Sequence, residues 1–260
     1  MDNKRVTSLE VAKLAGVSQS AVSRVFTPGA SSSKKTNELV RKAALKLGYR
    51  PNVLARSLIT GKSRMIGLVV AYLDNYFYPE ALELLSSALQ KKGYHVLIFM
   101  SGNKEGDIAE AVDEILDYQV DGIIAASVSM SSNLAKRCNS AGVPVVLFNR
   151  TQDDDRLSAV TSDNFLGGQK VARFLLKGGH KRIGYIAGWE GASTQRDREQ
   201  GFKEELAKNG HELYAREVGN FNSDEARQAA RNMFTRQDFP DAVFVANDAM
   251  AIAVIDVIRF

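Results

Sequence analysis

The chain has 260 residues, of which 45% are hydrophobic, so it is long enough for a small head and one or two further lobes with their own cores. Its single cysteine, Cys138, excludes an intrachain disulfide and fits a reducing compartment. No apolar run approaches the length of a membrane-spanning helix, and the N-terminus lacks the apolar stretch of a secretion signal, so we expect a cytoplasmic protein with no membrane partner.

Charge is unevenly distributed along the chain. Residues 1–64 hold 13 Lys and Arg against 3 Asp and Glu, whereas the remaining 196 residues hold 21 against 27. The head therefore carries a net charge of +10 and the body −6, within an overall +4. A basic head on a mildly acidic body is typical of a protein that binds nucleic acid.

Residues 7–26 have the pattern of two short helices joined at Gly16. Thr7 and Glu10 form a capping box at the start of the first helix. Gly16 suits the left-handed residue that ends this helix, and Ser18 suits the N-cap of the second. The arrangement predicts a helix-turn-helix, whose second helix enters the major groove of DNA. The alternative is a small helical hairpin with a solvated polar face.

The second helix carries polar side chains where base edges would lie. Gln19 and Ser20 belong to its first turn, and Arg24 follows about one turn later. An arginine can hold guanine O6 and N7 with two hydrogen bonds, and a glutamine can do the same for adenine. We therefore expect these three residues to read bases.

Two more helices are expected in the head. Ser33 is a suitable N-cap for a helix that runs to Leu47, with Gly48 ending it and Tyr49 closing a small core. Residues 51–58 predict a further short helix that begins at a proline. A helix of that length is marginal in water, so it should need a partner to form.

Four motifs follow one another in the head and hinge, namely Val-Ala-Lys-Leu-Ala-Gly-Val-Ser, Ala-Val-Ser-Arg-Val, Leu-Gly-Tyr-Arg-Pro-Asn and Ala-Arg-Ser-Leu. Through these motifs the chain resembles the LacI/GalR family of bacterial transcription regulators. The resemblance implies a homodimer that binds a pseudo-palindromic operator in double-stranded DNA. It also implies that Ala55, Arg56 and Leu58 belong to a hinge helix that enters the minor groove, where paired leucines wedge a base step.

From residue 65 onward, strand and helix patterns alternate. Strands are expected at 66–70, 96–99, 122–126, 145–148, 183–187, 212–218 and 242–246. Helices are expected at 79–92, 106–118, 131–141, 164–177, 195–208, 223–235 and 248–259. Repeated strand–helix units predict parallel sheets covered by helices on both faces.

The expected fold is a small all-α helix-turn-helix headpiece followed by an α/β core of two lobes. The headpiece covers residues 1–50 and a hinge and linker cover 51–64. The lobes cover 65–162 and 163–260 and resemble the family's periplasmic-binding-protein-like core. Family members usually continue with more strand–helix units, so we expect this chain to be a fragment or a truncated product whose second lobe is incomplete.

A ligand pocket is expected between the two lobes. Ligands of open α/β sheets bind at the carboxyl ends of the strands, and the loops there carry aromatic, amide and charged side chains that suit a small polar ligand such as a sugar. By the family resemblance the main candidates are Phe77, Tyr78, Asn149, Arg198 and Asn247. Secondary candidates are Ser127, Thr194, Phe221 and Asp248. Asn247 and Asp248 also suit the cap of the helix that follows them.

The leading hypothesis is a transcription regulator, expected to be a repressor, whose operator binding is controlled by a small polar ligand, a sugar or sugar derivative. A small-molecule binding protein without a DNA function is the alternative, but it predicts a secretion signal and no basic head. The sequence has no glycine-rich phosphate loop, zinc-ligand spacing or nucleophile elbow, so we expect no enzyme activity, metal or cofactor.

Overall fold

The computed structural model describes residues 6–27, 29–51, 61–71, 73, 75, 77–102, 105–128, 130–152, 157–235 and 237–259. The hinge candidates Ala55, Arg56 and Leu58 lie outside the described residues. The chain divides into two compact units, Met1–Ser63 and Arg64–Phe260. Within the described ranges, no helix is both long and apolar enough to cross a membrane.

The described residues of the first unit include three helices packed around one small core. Val11, Val22 and Val40 are fully buried in it, and the rings of Phe26 and Tyr49 pack 5.8 Å apart at its edge. The expected closing role of Tyr49 is confirmed. The helices are α1 (Ser8–Ala15), α2 (Gln19–Phe26) and α3 (Lys34–Leu47).

Local signals set the ends of α1 and α2. The Thr7 amide donates to the Glu10 carboxylate at 2.6 Å, which completes the expected capping box. Gly16 ends α1 with a φ of +66°, a left-handed conformation that costs glycine little. Ser18 caps α2 by accepting from the amide of Ala21 at 3.2 Å. The predicted helix–turn–helix geometry is therefore present.

The second unit contains two parallel sheets with helices between the strands. The first sheet has the strand order β2-β1-β3-β4-β5, and the second has the order β7-β6-β8. The strands are β1 (Met65–Val70), β2 (His95–Met100), β3 (Gly122–Ala126), β4 (Val145–Phe148), β5 (Ser158–Val160), β6 (Ile183–Ala187), β7 (Ala215–Val218) and β8 (Ala242–Val245).

Each sheet has a core of its own. Val112, Ile115 and Leu147 are buried in the core of the first sheet, and Tyr185 and Phe202 are fully buried in that of the second. The helices are α4 (Phe77–Lys91), α5 (Glu105–Asp117), α6 (Ser132–Ser140), α7 (Asn164–Lys177), α8 (Ser193–Lys208), α9 (Ser223–Phe234) and α10 (Asp248–Ile258).

Two strands differ from the sequence prediction by more than one residue at an end. The apolar pattern predicts no strand at β5, because its three residues are all exposed at the edge of the sheet. Parallel pairing with β4, in which Val146 lies opposite Ser158, makes this segment a strand. The strand expected at 212–218 is shorter, since only Ala215–Val218 pairs with β6.

Helices α7 and α8 pack with their backbones in contact. A Cβ atom on Gly201 would overlap the carbonyl oxygen of Phe165, and one on Gly168 would overlap that of Arg198. Only glycine allows this approach. The contact holds the two helices together close to Asn164 at the start of α7 and Arg198 in the second turn of α8.

Candidate functional site

The polar face of α2 is open to solvent. Gln19, Ser20 and Arg24 are all exposed, whereas Val22 and Val25 on the opposite face are buried. The structure therefore brings the three predicted base-reading residues together on one exposed face of α2. Their contact with bases stays a prediction.

Two of these polar side chains are already held by neighbours. The Gln19 amide nitrogen donates to the hydroxyl of Ser8 at 2.9 Å, and the hydroxyl of Ser20 lies 3.0 Å from that of Ser18. The contact between Ser8 and Gln19 could not be predicted from the sequence, because it depends on how α1 and α2 fold against each other.

The second unit contains a cavity of about 880 Å³. It is bordered by the loops that follow β1, β3, β4, β6, β7 and β8, all at the carboxyl ends of their strands. All nine predicted pocket residues line it, namely Phe77, Tyr78, Ser127, Asn149, Thr194, Arg198, Phe221, Asn247 and Asp248. The structure thus gathers residues up to 171 positions apart in the chain at one place.

A hydroxyl and amide cluster forms one wall of the cavity. The buried Tyr78 hydroxyl hydrogen-bonds to the Ser127 hydroxyl, and the Asn149 amide donates to the Tyr78 oxygen at 2.8 Å. Ser127 and Asn149 both have a positive φ, of 57° and 66°. Such strained backbone is often found at ligand sites. The cluster can donate to and accept from a ligand hydroxyl.

Aromatic rings form two apolar faces of the same cavity. The ring of Phe77 is 45% exposed and stacks on Phe148 with the planes 7° apart. Phe221 has a φ of +59° and its ring lies against Gly188, where a Cβ atom would overlap it. Exposed ring faces bordered by hydrogen-bonding groups suit a ring-shaped polar ligand.

Arg198 is held between two parts of the cavity wall. Its guanidinium donates to the carbonyl oxygen of Ala246 and, at 2.6 Å, to the side-chain oxygen of Asn164. Burial lowers the pKa of Arg198 from its ordinary value. Asp163 caps α7 by accepting from the amide of Leu166 at 2.8 Å, whereas Asn164 faces the cavity.

Asn247 serves two purposes at the start of α10. Its side-chain oxygen accepts from the amide of Met250 at 2.9 Å, which confirms the expected helix cap. The residue also lines the cavity, as does its exposed neighbour Asp248. Capping therefore does not exclude the ligand role that was predicted for them.

The loops of the two sheets meet beside the cavity. The guanidinium of Arg150, which follows β4, lies 5.2 Å from the ring centre of Trp189, which follows β6. The amide of Thr151 donates to the hydroxyl of Ser193 at 2.9 Å. Arg150 is only 4% exposed and lines the cavity, although it is not among the predicted pocket residues. The sequence prediction also omits Asn75, Ser162, Asn164, Asn220, Asn222, Ser223, Asp224 and Glu225, which line the cavity as well.

A buried polar network supports the loop after β6. Gln195 is 1% exposed and its oxygen accepts from the amide of Gly188 at 2.7 Å. Its nitrogen donates to Glu199, and Glu199 accepts two hydrogen bonds from Arg216 at 2.8 and 3.0 Å. Burial by itself raises the pKa of Glu199, but the hydrogen bonds from Arg216 and Lys203 outweigh it and lower that pKa.

This lowered pKa predicts a loss of stability in acid. The folded state binds fewer protons at Glu199 than the unfolded chain does. The contribution is therefore complete above the ordinary pKa of 4.5 and is lost as the pH falls below it. We expect Arg216→Met to lower the urea midpoint more at pH 7 than at pH 4, as followed by fluorescence. The exposed Arg231→Met is the control. Equal losses by Arg216→Met at both pH values would contradict the prediction.

Comparison with known proteins identifies both units. Residues 8–52 match the model of bacterial regulatory proteins of the lacI family, and residues 66–259 match that of a periplasmic binding protein domain. The chain is 33% identical to the HTH-type transcriptional regulator CelR of Thermobifida fusca, over 100% of this chain and 79% of CelR.

Two solved structures are similar over 98% of the chain and 78% of their own length. One is the lac repressor dimer bound to operator and the anti-inducer ONPF, with a TM-score of 0.88 and 27% identity. The other is a CelR–cellobiose complex, with a TM-score of 0.69 and 30% identity. These relatives are regulators and not enzymes. The chain belongs to the lacI family of bacterial regulatory proteins and is a DNA-binding transcription regulator with a two-lobe, periplasmic-binding-protein-like core.

Proposed function

We propose that this regulator is a homodimeric repressor that binds a pseudo-palindromic operator and is controlled by a small carbohydrate in the 880 Å³ cavity. The single observation that carries the ligand proposal is the convergence of all nine predicted residues on that cavity. Similarity to a lac repressor dimer bound to operator and to a CelR–cellobiose complex supports the dimer, the operator and the sugar.

The chemistry of the cavity favours a small polar ligand rich in hydroxyl groups, such as a sugar, over a purely apolar ligand. Phe77 and Phe221 offer ring faces for stacking, and Tyr78, Ser127 and Asn149 offer hydrogen-bond donors and acceptors. A ligand with hydroxyl groups around a ring can pair with all of these groups, whereas an apolar ligand would leave them unpaired.

The ligand would act on DNA binding through the hinge. In this proposal the headpiece is residues 1–50, the hinge is 51–64 and the two lobes are 65–162 and 163–260. Ligand binding shifts the lobes, and the hinge candidates Ala55, Arg56 and Leu58 then gain or lose their place in the minor groove. Only a difference in ligand affinity between the two states produces the shift. Because the operator is the partner, the protein would act in the cytoplasm.

The single tryptophan offers a direct test of the ligand class. Trp189 contacts Arg150, which lines the cavity, so we expect a bound ligand to change its fluorescence. Titration of the full chain with monosaccharides and disaccharides should give a saturable change with at least one of them. Phe77→Ala should weaken that binding, because it removes an exposed stacking face. Saturation only by non-carbohydrate ligands would overturn the sugar assignment.

Arg24→Ala tests the DNA-reading face. If Arg24 holds a guanine edge, its loss should cost about 1–3 kcal/mol of discrimination at one base pair. Anisotropy titrations with operators altered at each position in turn measure this quantity. The exposed Lys13→Ala variant on α1 is the control. An equal loss of affinity for every sequence would make Arg24 a phosphate contact and contradict base reading.

A further inference from the structure

The contact between Ser8 and Gln19 joins the first residues of two helices. Ser8 begins α1 and Gln19 begins α2. The capping box at Thr7 fixes the start of α1, and Ser18 fixes the start of α2, so both positions are set by local backbone geometry. The Gln19 amide nitrogen then donates to the half-buried Ser8 hydroxyl at 2.9 Å.

This bond leaves Gln19 with the groups that recognise adenine. Its amide has two N–H donors and one oxygen acceptor, and Ser8 uses one donor only. The second N–H and the oxygen match N7 and the N6 amino group of adenine in the major groove. The bond also selects one orientation of a long, flexible side chain before DNA arrives.

We propose that Ser8 is a positioning residue that holds Gln19 for recognition of adenine at one operator base pair. The proposal rests on the proposed base-reading role of Gln19 and goes one step further, since Ser8 lies outside the recognition helix. Ser8 contributes to specificity through Gln19. Ser8 is hydrogen-bonded to Gln19, and Gln19 in turn is hydrogen-bonded to adenine, which disfavours any other base at that position of the operator.

The neighbouring serines show why Gln19 is the residue affected. The Ser20 hydroxyl is paired with that of Ser18, the N-cap of the same helix, at 3.0 Å, so this contact involves α2 and its cap alone. Gln19 is the base-reading candidate whose side chain is tied to a different helix. A variant of Ser8 that lacks the hydroxyl should therefore act at the base pair that Gln19 reads and not at the others.

The experiment uses the full chain with the operator identified by selection from random DNA. Anisotropy at fixed salt measures the affinity for that operator and for variants substituted at each position in turn. Ser8→Ala should reduce the preference for adenine about 2- to 10-fold at one position, the range of one net hydrogen bond. Ser8→Thr keeps the hydroxyl and should restore it. Ser31→Ala, an exposed serine between α2 and α3, is the matched control.

Gln19→Ala separates this proposal from the function on which it rests. Gln19→Ala should abolish discrimination at the same position, and adding Ser8→Ala should then change nothing more. If Gln19→Ala leaves discrimination unchanged everywhere, the base-reading role of Gln19 is wrong. If Gln19→Ala acts but Ser8→Ala does not, the positioning role of Ser8 is wrong. A uniform loss with Ser8→Ala at all sequences would make Ser8 a phosphate contact and also overturn the proposal.

Discussion

Replacing Gly201 with alanine is expected to destabilise the second unit by roughly 3 kcal/mol, at the upper end of overpacking effects. The new Cβ atom would overlap the carbonyl oxygen of Phe165, which belongs to the backbone of α7. Backbone cannot rotate away as a side chain can, so the two helices would have to separate. Urea unfolding followed by Trp189 fluorescence reports on this unit, because the only tryptophan lies in it.

Gly167→Ala is the matched control for Gly201→Ala. A Cβ atom on Gly167 meets no atom within 4 Å, and the residue lies in α7 with ordinary helical backbone. Alanine there should leave stability unchanged or raise it by up to about 1 kcal/mol, the difference in helix propensity. If Gly201→Ala and Gly167→Ala unfold at the same urea concentration, the close packing of α7 and α8 is not needed for stability.

Replacing Arg198 with lysine is expected to weaken ligand binding by roughly 100-fold, since each charge-assisted hydrogen bond contributes about 1.5–3 kcal/mol. The planar guanidinium reaches Ala246 and Asn164 at once, and the single ammonium of lysine cannot. The orientation of both neighbours around the ligand would be lost. Operator affinity without ligand should stay near that of the wild type, because Arg198 lies outside the headpiece.

The measurement for Arg198→Lys is the Trp189 titration with the sugar that binds the wild-type chain. Arg196→Lys is the control, since Arg196 is exposed on the same helix and pairs with Asp197. Its ligand affinity should be unchanged. If Arg198→Lys binds the ligand with wild-type affinity, Arg198 is not part of the binding site. If Arg198→Lys loses operator affinity in the absence of ligand, Arg198 acts on folding instead.

The sequence predicted the local features of the fold well. Thr7, Ser18 and Gly16 predict helix ends, because the hydrogen bonds that they make span only three or four residues. The structure confirms all three helix ends. Strands β3, β4 and β6 also have the expected bounds, because each is a short, mainly apolar run that the sequence pattern separates clearly from its neighbours. β5 was missed because its pairing with β4, and not its composition, makes it a strand.

Only part of the lining of the candidate cavity could be predicted from the sequence. Residues at the ends of strands could be selected from the sequence, since the carboxyl ends of parallel strands share one edge. Arg150 and Asn164 were not selected, because their importance comes from contacts with Trp189 and Arg198, each 34 or more positions away. The link between Ser8 and Gln19 depends likewise on the turn between two helices.

Control of the headpiece by the cavity is tested most directly by measuring operator affinity with and without the ligand that changes Trp189 fluorescence. The full chain would be titrated onto labelled operator by anisotropy, first alone and then with the cavity saturated. We expect the operator dissociation constant to change by roughly 5- to 150-fold, the usual range for coupling between two sites. Arg198→Lys should show no such change at the same ligand concentration. A ligand that saturates the cavity yet leaves operator affinity unchanged would contradict control of the headpiece by the cavity.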